Sequence, residues 1–266
     1  MSHATTGSLQ QTLEGHCQEV LSVTLSHDSK LIASASKDDQ IKVWDMVTGS
    51  LQQTIEGDDQ VVDPAIIRRG PCCVAFSPNS KFLASGSHVT GWKHRWPDHS
   101  DEIRNKKWDY CAIKIWDTTT WALQQTLQGH GSNVESIAFS HDSKHIASNS
   151  GSAIEIWDTT TWKLQQTLEG HSGSVTSVAF SPNSKLSASG SYDSTIKIRD
   201  ATAWTLQQTL KGHMKFVMSV AFSYNSNLIV SISGDGDVGI WYVTGRSLLQ
   251  ILKVGAGGIL AVLSGQ

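Results

Sequence analysis

The chain is built of copies of itself, and no other property restricts its fold as much. The stretch Leu164 to Asp200, LQQTLEGHSGSVTSVAFSPNSKLSASGSYDSTIKIRD, has a better or worse counterpart along nearly all of the 266 residues. Self-similarity at a fixed period commits a chain to stacked units of one supersecondary structure, because a single unit cannot bury its apolar surface alone. Gly-His pairs mark the units at Gly15-His16, Gly129-His130, Gly170-His171 and Gly212-His213, each preceded by LQQTL and one further residue. A variant, LQQTIEGD, ends at Asp58. From His130 to His171 is 41 residues and from His171 to His213 is 42, a length that suits four short strands with tight turns. Trp-Asp closes three units, at Trp44-Asp45, Trp116-Asp117 and Trp157-Asp158.

Within the reference copy, Ser174 to Ser181 mixes Val, Ala and Phe with Ser and Thr and reads as a strand, followed by the turn residues Pro182-Asn183-Ser184-Lys185. Leu186 to Ser191 reads as a second strand, Tyr192-Asp193-Ser194 as a tight turn, Thr195 to Asp200 as a third strand and Leu206 to Leu210 as a fourth. Helical periodicity is absent. The first copy (His16 to Gly57) is intact, the third (His130 to Gly170) and fourth (His171 to Gly212) are compact, and the fifth runs on from His213. The second is longer: Gly57 to Phe76 spans 19 positions where Gly170 to Phe180 spans 10, and Ser85 to Ile113 spans 28 where Ser189 to Ile196 spans 7. Both additions, DDQVVDPAIIRRGP and HVTGWKHRWPDHSDEIRNKKWDY, are expected to be loops. The second also reads as retained noncoding sequence.

Composition narrows the function. A net charge of −3 with no basic run gives no electrostatic footprint for a phosphate backbone, so direct nucleic-acid binding is not expected. The apolar runs are far shorter than a membrane span and the N-terminus lacks a signal-peptide pattern, so the chain reads as soluble and cytoplasmic. Cys17, Cys72, Cys73 and Cys111 have neither C-x-x-C spacing nor the look of a disulfide framework.

Gly-His, the turn aspartate and Trp-Asp at this period resemble the WD-repeat β-propeller family over almost the whole chain. The near-identical LQQTLEGH and VAFSPNS copies are most similar to the arrays of fungal NACHT-type receptors. The resemblance implies an all-β, single-domain propeller with five complete four-stranded blades, at about 16–57, 58–129, 130–170, 171–212 and 213–254. Strands at 8–13 and 258–264 would form an incomplete closing blade, with an insertion at 88–112, leaving an open or truncated six- or seven-bladed ring. It also implies a buried hydrogen-bonded tetrad in each good blade, complete in His16, Ser34, Asp38 and Trp44 and in His213, Ser231, Asp235 and Trp241. Copy two has Asp58 in place of histidine, copy three lacks the aspartate, and copy four has Arg199 in place of tryptophan. Each orphaned buried partner costs about 1–3 kcal/mol, so blades two to four are expected to be less rigid than one and five.

Family members present partners to the face where the loop after Gly-His and the tight turn emerge. The varying residues there are Glu19, Asn133, Ser174 and Phe216 before the opening strand, and Lys37, Tyr192 and Gly234 before the turn aspartate. Tyr192 and Phe216 stand out as anchors, since aromatic rings carry much contact area at little entropy cost. Trp92 and Trp96 in the insertion are further candidates. Trp121, Trp162 and Trp204 recur with the repeat and read as packing on an outer rim.

Three chemical readings compete with this one. His, Ser and Asp within reach invite a catalytic triad, but the set recurs and no G-x-S-x-G elbow occurs. Gly234 to Gly239 matches G-x-G-x-x-G, yet between strands and not before a helix. His88, His94 and His99 with Asp98 and Asp101 follow no metal-ligand spacing. The expectation is therefore a noncatalytic scaffold without cofactor or metal, binding proteins or peptides on its top face and self-associating through open blade edges. Its rivals are the substrate receptor of a ubiquitin ligase, disfavoured because no Trp-Asp pair has arginine two residues on, and a mitochondrial-fission-type adaptor.

Overall fold

The computed structural model describes residues 11–56, 66–92, 111–244 and 248–252. They form five four-stranded antiparallel sheets. The first contains β1 (Val20–Leu25), β2 (Leu31–Ser36), β3 (Gln40–Asp45) and β4 (Leu51–Glu56); the second β5 (Ile66–Phe76), β6 (Phe82–Trp92), β7 (Ala112–Asp117) and β8 (Leu123–Gln128). The third holds β9 (Ile137–Phe139), β10 (His145–Ser150), β11 (Ala153–Asp158) and β12 (Leu164–Leu168). In the fourth lie β13 (Val175–Phe180), β14 (Leu186–Ser191), β15 (Thr195–Asp200) and β16 (Leu206–Lys211), and in the fifth β17 (Val217–Phe222), β18 (Leu228–Ser233), β19 (Val238–Tyr242) and β20 (Leu248–Leu252). Strands pair in chain order within each sheet, and the innermost strands contact one another in the order β1, β5, β9, β13, β17 around a shared cavity. The all-β propeller-blade architecture expected from the repeats is present. The expected strand at 258–264 lies outside the described residues, as does most of that at 8–13, of which residues 11–13 are not in a strand.

Alternation explains why the sheets stack. In each blade, small and branched residues of the second, third and fourth strands form one apolar face, as Ala188, Ile196, Ile198 and Leu210 do in the fourth sheet. That face meets the first strand of the next blade, here Val217 and Val220, together with Ile229 and Trp241. The same arrangement recurs between sheets one and two, two and three, and three and four. A sheet apolar on both faces has no stable existence alone, and mating the faces is what removes them from water.

The recurring S-x-N/D-S-K turns lock neighbouring blades as well as their own hairpins. Ser181 Oγ donates to Asn183 Oδ1 at 2.7 Å and accepts from Leu186 N at 2.9 Å, closing the turn with side-chain bonds. The turn's second serine is in the left-handed region in every blade, with φ of 57° at Ser29, 54° at Ser80, 58° at Ser143, 57° at Ser184 and 60° at Ser226. Its hydroxyl accepts from the preceding blade: Asp28 N to Ser80 at 3.3 Å, Asn79 N to Ser143 at 3.1 Å, Asp142 N to Ser184 at 2.9 Å and Asn183 N to Ser226 at 3.3 Å. A second seam joins the inner strands, from Val74 N to Ser22 Oγ, Val178 N to Ser136 Oγ and Val220 N to Ser177 Oγ.

One expectation needs correction. The additions in the second copy are not wholly loops, because Ile66 to Arg69 and His88 to Trp92 lengthen β5 and β6 into a paired ribbon in which Ile66 faces Trp92. Their Ile, Val, Thr and Trp content suits a strand, and the ladder extends as far as those residues last. The remainder of the insertion, residues 93–110, lies outside the described residues. The three recurrent tryptophans pack, as expected, and their contacts cross between blades. Trp162 packs edge-on against Phe82 with ring centroids 5.2 Å apart, Trp204 against His145 at 5.2 Å, and Trp121 joins the core of the first two sheets, so each reaches back to the preceding blade.

Those tryptophans sit at φ of 58°, 57° and 58° (Trp121, Trp162, Trp204), where the first blade has Gly49 at 67°. A bulky residue there carries backbone strain of about 1 kcal/mol, which burial of the indole outweighs. Replacing Trp204 with alanine should therefore cost about 3–5 kcal/mol, and replacement with glycine about 1 kcal/mol less than alanine, inverting the usual order. Chemical denaturation of Trp204→Ala and Trp204→Gly checks the order.

Candidate functional site

The tight turn between the second and third strands of each blade, and the residues after Gly-His, together form one end of the array. Their geometry is set from below by a directional relay. In the first blade Trp44 Nε1 donates to Ser34 Oγ at 3.0 Å, Ser34 Oγ and His16 Nε2 are 2.8 Å apart, and His16 Nδ1 lies 2.8 Å from Asp38 Oδ2. A carboxylate can only accept, so His16 carries its proton on Nδ1, and the bare Nε2 takes the seryl proton. Asp38 also accepts from Cys17 N at 3.0 Å and Gln40 N at 3.1 Å, tying the Gly-His loop to the turn.

The fourth blade keeps this relay despite Arg199. His171 lies 2.8 Å from both Asp193 and Ser189, and the guanidinium stands where the indole would, with Nη1 3.5 Å from Ser189 Oγ and Nη2 donating to the Glu169 carbonyl at 2.8 Å. Copy four is therefore not deprived of its network by the substitution. Burial alone would raise the Asp193 carboxyl, but hydrogen bonds from Thr195, His171 and Ser172 outweigh it and hold it at about 2. Burial lowers His171, against the pull of Asp193. The same three groups have the connectivity of a hydrolytic triad, yet Ser189 is only 1% exposed and its oxygen is engaged on both sides, so no substrate carbonyl reaches it.

In the fifth blade the expected tetrad is a triad. His213 Nε2 and Trp241 Nε1 meet Ser231 Oγ at 2.6 and 2.7 Å, but Asp235 turns to the Ser233 hydroxyl and the Asp237 amide, leaving His213 Nδ1 without a partner among the described residues. Here Met214-Lys215-Phe216 replaces Ser172-Gly173-Ser174, and the Phe216 ring covers Gly234: a Cβ on that glycine would come within 2.4 Å of it. In the second blade only Trp116 to Ser85, at 3.3 Å, is in place, and Asp58 lies outside the described residues.

The third blade departs furthest. Its turn is one residue short, and Asn149 bridges the gap by accepting from Glu135 N at 2.8 Å and Ser136 N at 2.9 Å and donating to the Asn133 carbonyl at 3.2 Å. That repair replaces part of the ladder, which is why β9 has 3 residues where β13 has 6. His130 and Trp157 both meet Ser148, at 2.9 and 3.2 Å, but Nδ1 of His130 has no partner among the described residues and burial pushes the imidazole down to about 4. Beside it, Glu155 occupies the position of Lys42, Lys114 and Lys197. Its Oε2 is 3.2 Å from His130 Nε2 yet outside hydrogen-bonding geometry, and burial pushes the carboxyl up to about 7, opposed by Ser150.

Of the candidate surface residues, the structure joins four in two pairs. Lys37 and Glu19 form an ion pair on the first blade. Tyr192 and Phe216, from different blades, stack with centroids 4.8 Å apart and planes at 24°. Tyr192 remains 56% exposed. Its main-chain N–H donates to the Ser174 carbonyl, and Gly234 N donates to the Phe216 carbonyl, so both turns are fixed. Asn133 is engaged with the third-blade turn and with Cys111 at 3.6 Å, away from the aromatic pair's role. Trp92 ends β6, and Trp96 lies outside the described residues. One site that sequence reasoning passed over is the Cys72–Cys73 pair. It falls at a bulge in β5, so both thiols reach the Val134 carbonyl of the next blade, at 2.8 and 3.3 Å, much as Thr176 reaches Val217. The Cys73 thiol and burial together push Cys72 well up. Among the described residues no group of three or more His, Cys, Asp or Glu side chains could hold a metal ion, and no helix is long and apolar enough to cross a membrane.

Two outcomes follow from these networks. Asp193→Asn should cost about 1–3 kcal/mol in thermal or urea unfolding, whereas Asp235→Asn should change stability by less than about 0.5 kcal/mol. Glu155 is raised in the fold, so its contribution is fully present below its unfolded value near 4.5 and is lost as pH rises through about 7. Glu155→Gln should therefore stabilise the protein more at pH 8 than at pH 5, by about 2–3 kcal/mol, as read from melting curves at the two pH values.

The WD domain, G-beta repeat family matches residues 7–45, 49–88, 121–158, 162–200 and 204–242. Among curated relatives, the chain is 34% identical over 158 residues to "WD repeat-containing protein SL1-17" of Schistosoma mansoni, covering 52% of this chain and 49% of that one. It is 31% identical over 131 residues to "Coatomer subunit beta'-1" of Arabidopsis thaliana (48% of this chain, 11% of the relative), and 26% identical over 185 residues to "Protein hir1" of Schizosaccharomyces pombe (51% and 19%). It thus spans about half or less of the length of these relatives. With the family's repeat matched over most of its length and one sheet per repeat, the chain belongs to the WD-repeat family.

Proposed function

We propose that this protein is a noncatalytic scaffold that holds a partner protein or peptide on its top face, with the stacked rings of Tyr192 and Phe216 as the anchor. WD repeats indicate protein interaction in general. The observation that supports this particular surface is the aromatic stack at the junction of blades four and five, 4.8 Å between centroids and open to solvent on one side. Two rings fixed by hydrogen-bonded turns lose little entropy on binding, and aromatic anchors dominate the energetics of protein interfaces. A partner offering an apolar or aromatic side chain, or an arginine to lie on the ring face, suits the stack. Glu19 and Lys37 neutralise each other and are assigned to the rim of the surface, where charges contribute orientation more than affinity. Ser174 lies beneath Tyr192 as a backbone acceptor.

Narrower settings rest on sequence likeness alone. We place first a ligand-sensing array of a fungal NACHT-type receptor in the cytoplasm, on the LQQTLEGH and VAFSPNS copies, ahead of an enzyme-complex module or a fission adaptor. Pull-down from a native extract, followed by quantitative binding with the identified partner, tests the anchor. Tyr192→Ala and Phe216→Ala should each weaken binding by about 30-fold or more while leaving circular dichroism unchanged. Undiminished binding by both variants, or a hydrolytic activity lost on Ser189→Ala, would contradict the proposal.

A further inference from the structure

The first and last sheets each expose the face that every internal sheet buries. On β1, Val20, Val23 and Leu25 are 47%, 47% and 44% exposed, whereas their counterparts on β13, Val175, Val178 and Phe180, are 1%, 7% and 7%. At the other end, Val230, Val238 and Ile240 are only half-buried and Leu252 is 41% exposed, while the matching Ala188, Ile196, Ile198 and Leu210 of the fourth sheet are at 3% or below. These two surfaces are the two halves of one interface. In the interior of the array, the residues equivalent to Val230, Val238, Ile240 and Leu252 cover those equivalent to Val20, Val23 and Leu25 at every junction of consecutive blades.

The polar seams match in the same way. At three of the four internal junctions the main-chain N–H at the Val23 position donates to the serine at the Ser219 position of the preceding blade, as Val220 does to Ser177; the second blade has Cys73 in place of that serine. The N–H at the Asn225 position donates to the left-handed serine of the following blade, as Asn183 does to Ser226. Among the described residues, the main-chain N–H of Val23 and Asn225 meets no such serine, and no main-chain donor from another blade reaches Ser219 or Ser29. The cover for β1 must present side chains from three adjacent strands at once, as β10, β11 and β12 do for β13. The fifth sheet of another molecule offers that surface ready-made.

We infer that two copies of this chain associate head to tail, the β1 face of one copy seating on the β18–β20 face of another. The contact is heterologous, so a single chain carries both the donor and the acceptor surface. It also differs from strand-edge pairing, because the strands stack face on face and do not hydrogen-bond into one sheet.

Complementation separates this arrangement from every symmetric one. Sedimentation velocity of the full chain should show mass rising with concentration. Val23→Glu and Leu252→Glu, both at exposed positions and each spoiling one surface, should each remain monomeric. Mixed in equal amounts, they should form a 1:1 dimer that grows no further, because each retains the surface the other lacks; this dimer also demonstrates that both variants are folded. A wild-type chain that stays monomeric up to hundreds of micromolar, self-association surviving in either single variant, or a mixture that stays monomeric would each overturn the inference.

Discussion

A small sheet that is apolar on both faces has to be covered on both, and that constraint orders the rest of this molecule. The repeated Ala, Ile and Leu of one blade and the repeated Val, Phe and Trp of the next are two sides of the same contact. The remaining devices serve it. Left-handed serines carry main-chain donors across each junction at the lower end, serines on the inner strands do so near the axis, and Trp162 and Trp204 reach back over the preceding blade at the cost of an uncommon backbone conformation. Stacking in this way makes the stability of each blade depend on its neighbours more than on its own hydrogen bonds.

The histidine networks do a more local task. Each is a one-way sequence of donors from indole or guanidinium through serine and imidazole to a carboxylate, and where it is whole it pins the Gly-His loop to the turn. Its variations show which links matter. Arg199 supplies the N–H that tryptophan would have given, so the relay survives a change of residue type. Loss of the carboxylate, by deletion in blade three or by rotation of Asp235 in blade five, strands an imidazole nitrogen instead. Blades four and five therefore differ at their tops, and at that boundary Tyr192, on a pinned turn, meets Phe216, on a rearranged one.

Much of this was legible in the sequence because the repeat restates it. The period located the strands, S-P-N-S-K located the turns, and the resemblance to WD repeats, not spacing, pointed to the network of His16, Ser34, Asp38 and Trp44. What stayed hidden depends on relations between copies or on choices among partners of similar energy. The stacking of Tyr192 on Phe216 brings together residues of different blades, which a single unit does not encode. Asp235 has histidine, serine and a main-chain amide within reach, and spacing alone does not rank them. Ile66 to Arg69 and His88 to Trp92 broke the repeat length and so read as loops, although their β-branched and aromatic residues carried a strand signal. Trp204, at a position where Gly49 stands in the first blade, gave no sign that its side chain would reach another blade.

Mated faces, not complete histidine networks, set the stability of a blade. Blade one separates the two, since it has the full network but one open face. Native-state amide hydrogen exchange, at a concentration low enough to keep chains apart, measures the opening free energy of each sheet. Stacking predicts the slowest exchange in β10, β11, β14 and β15, with β2 and β3 of blade one opening at lower free energy. Protection of β2 and β3 equal to or above that of β14 and β15 would contradict it and return the leading role to the histidine relay.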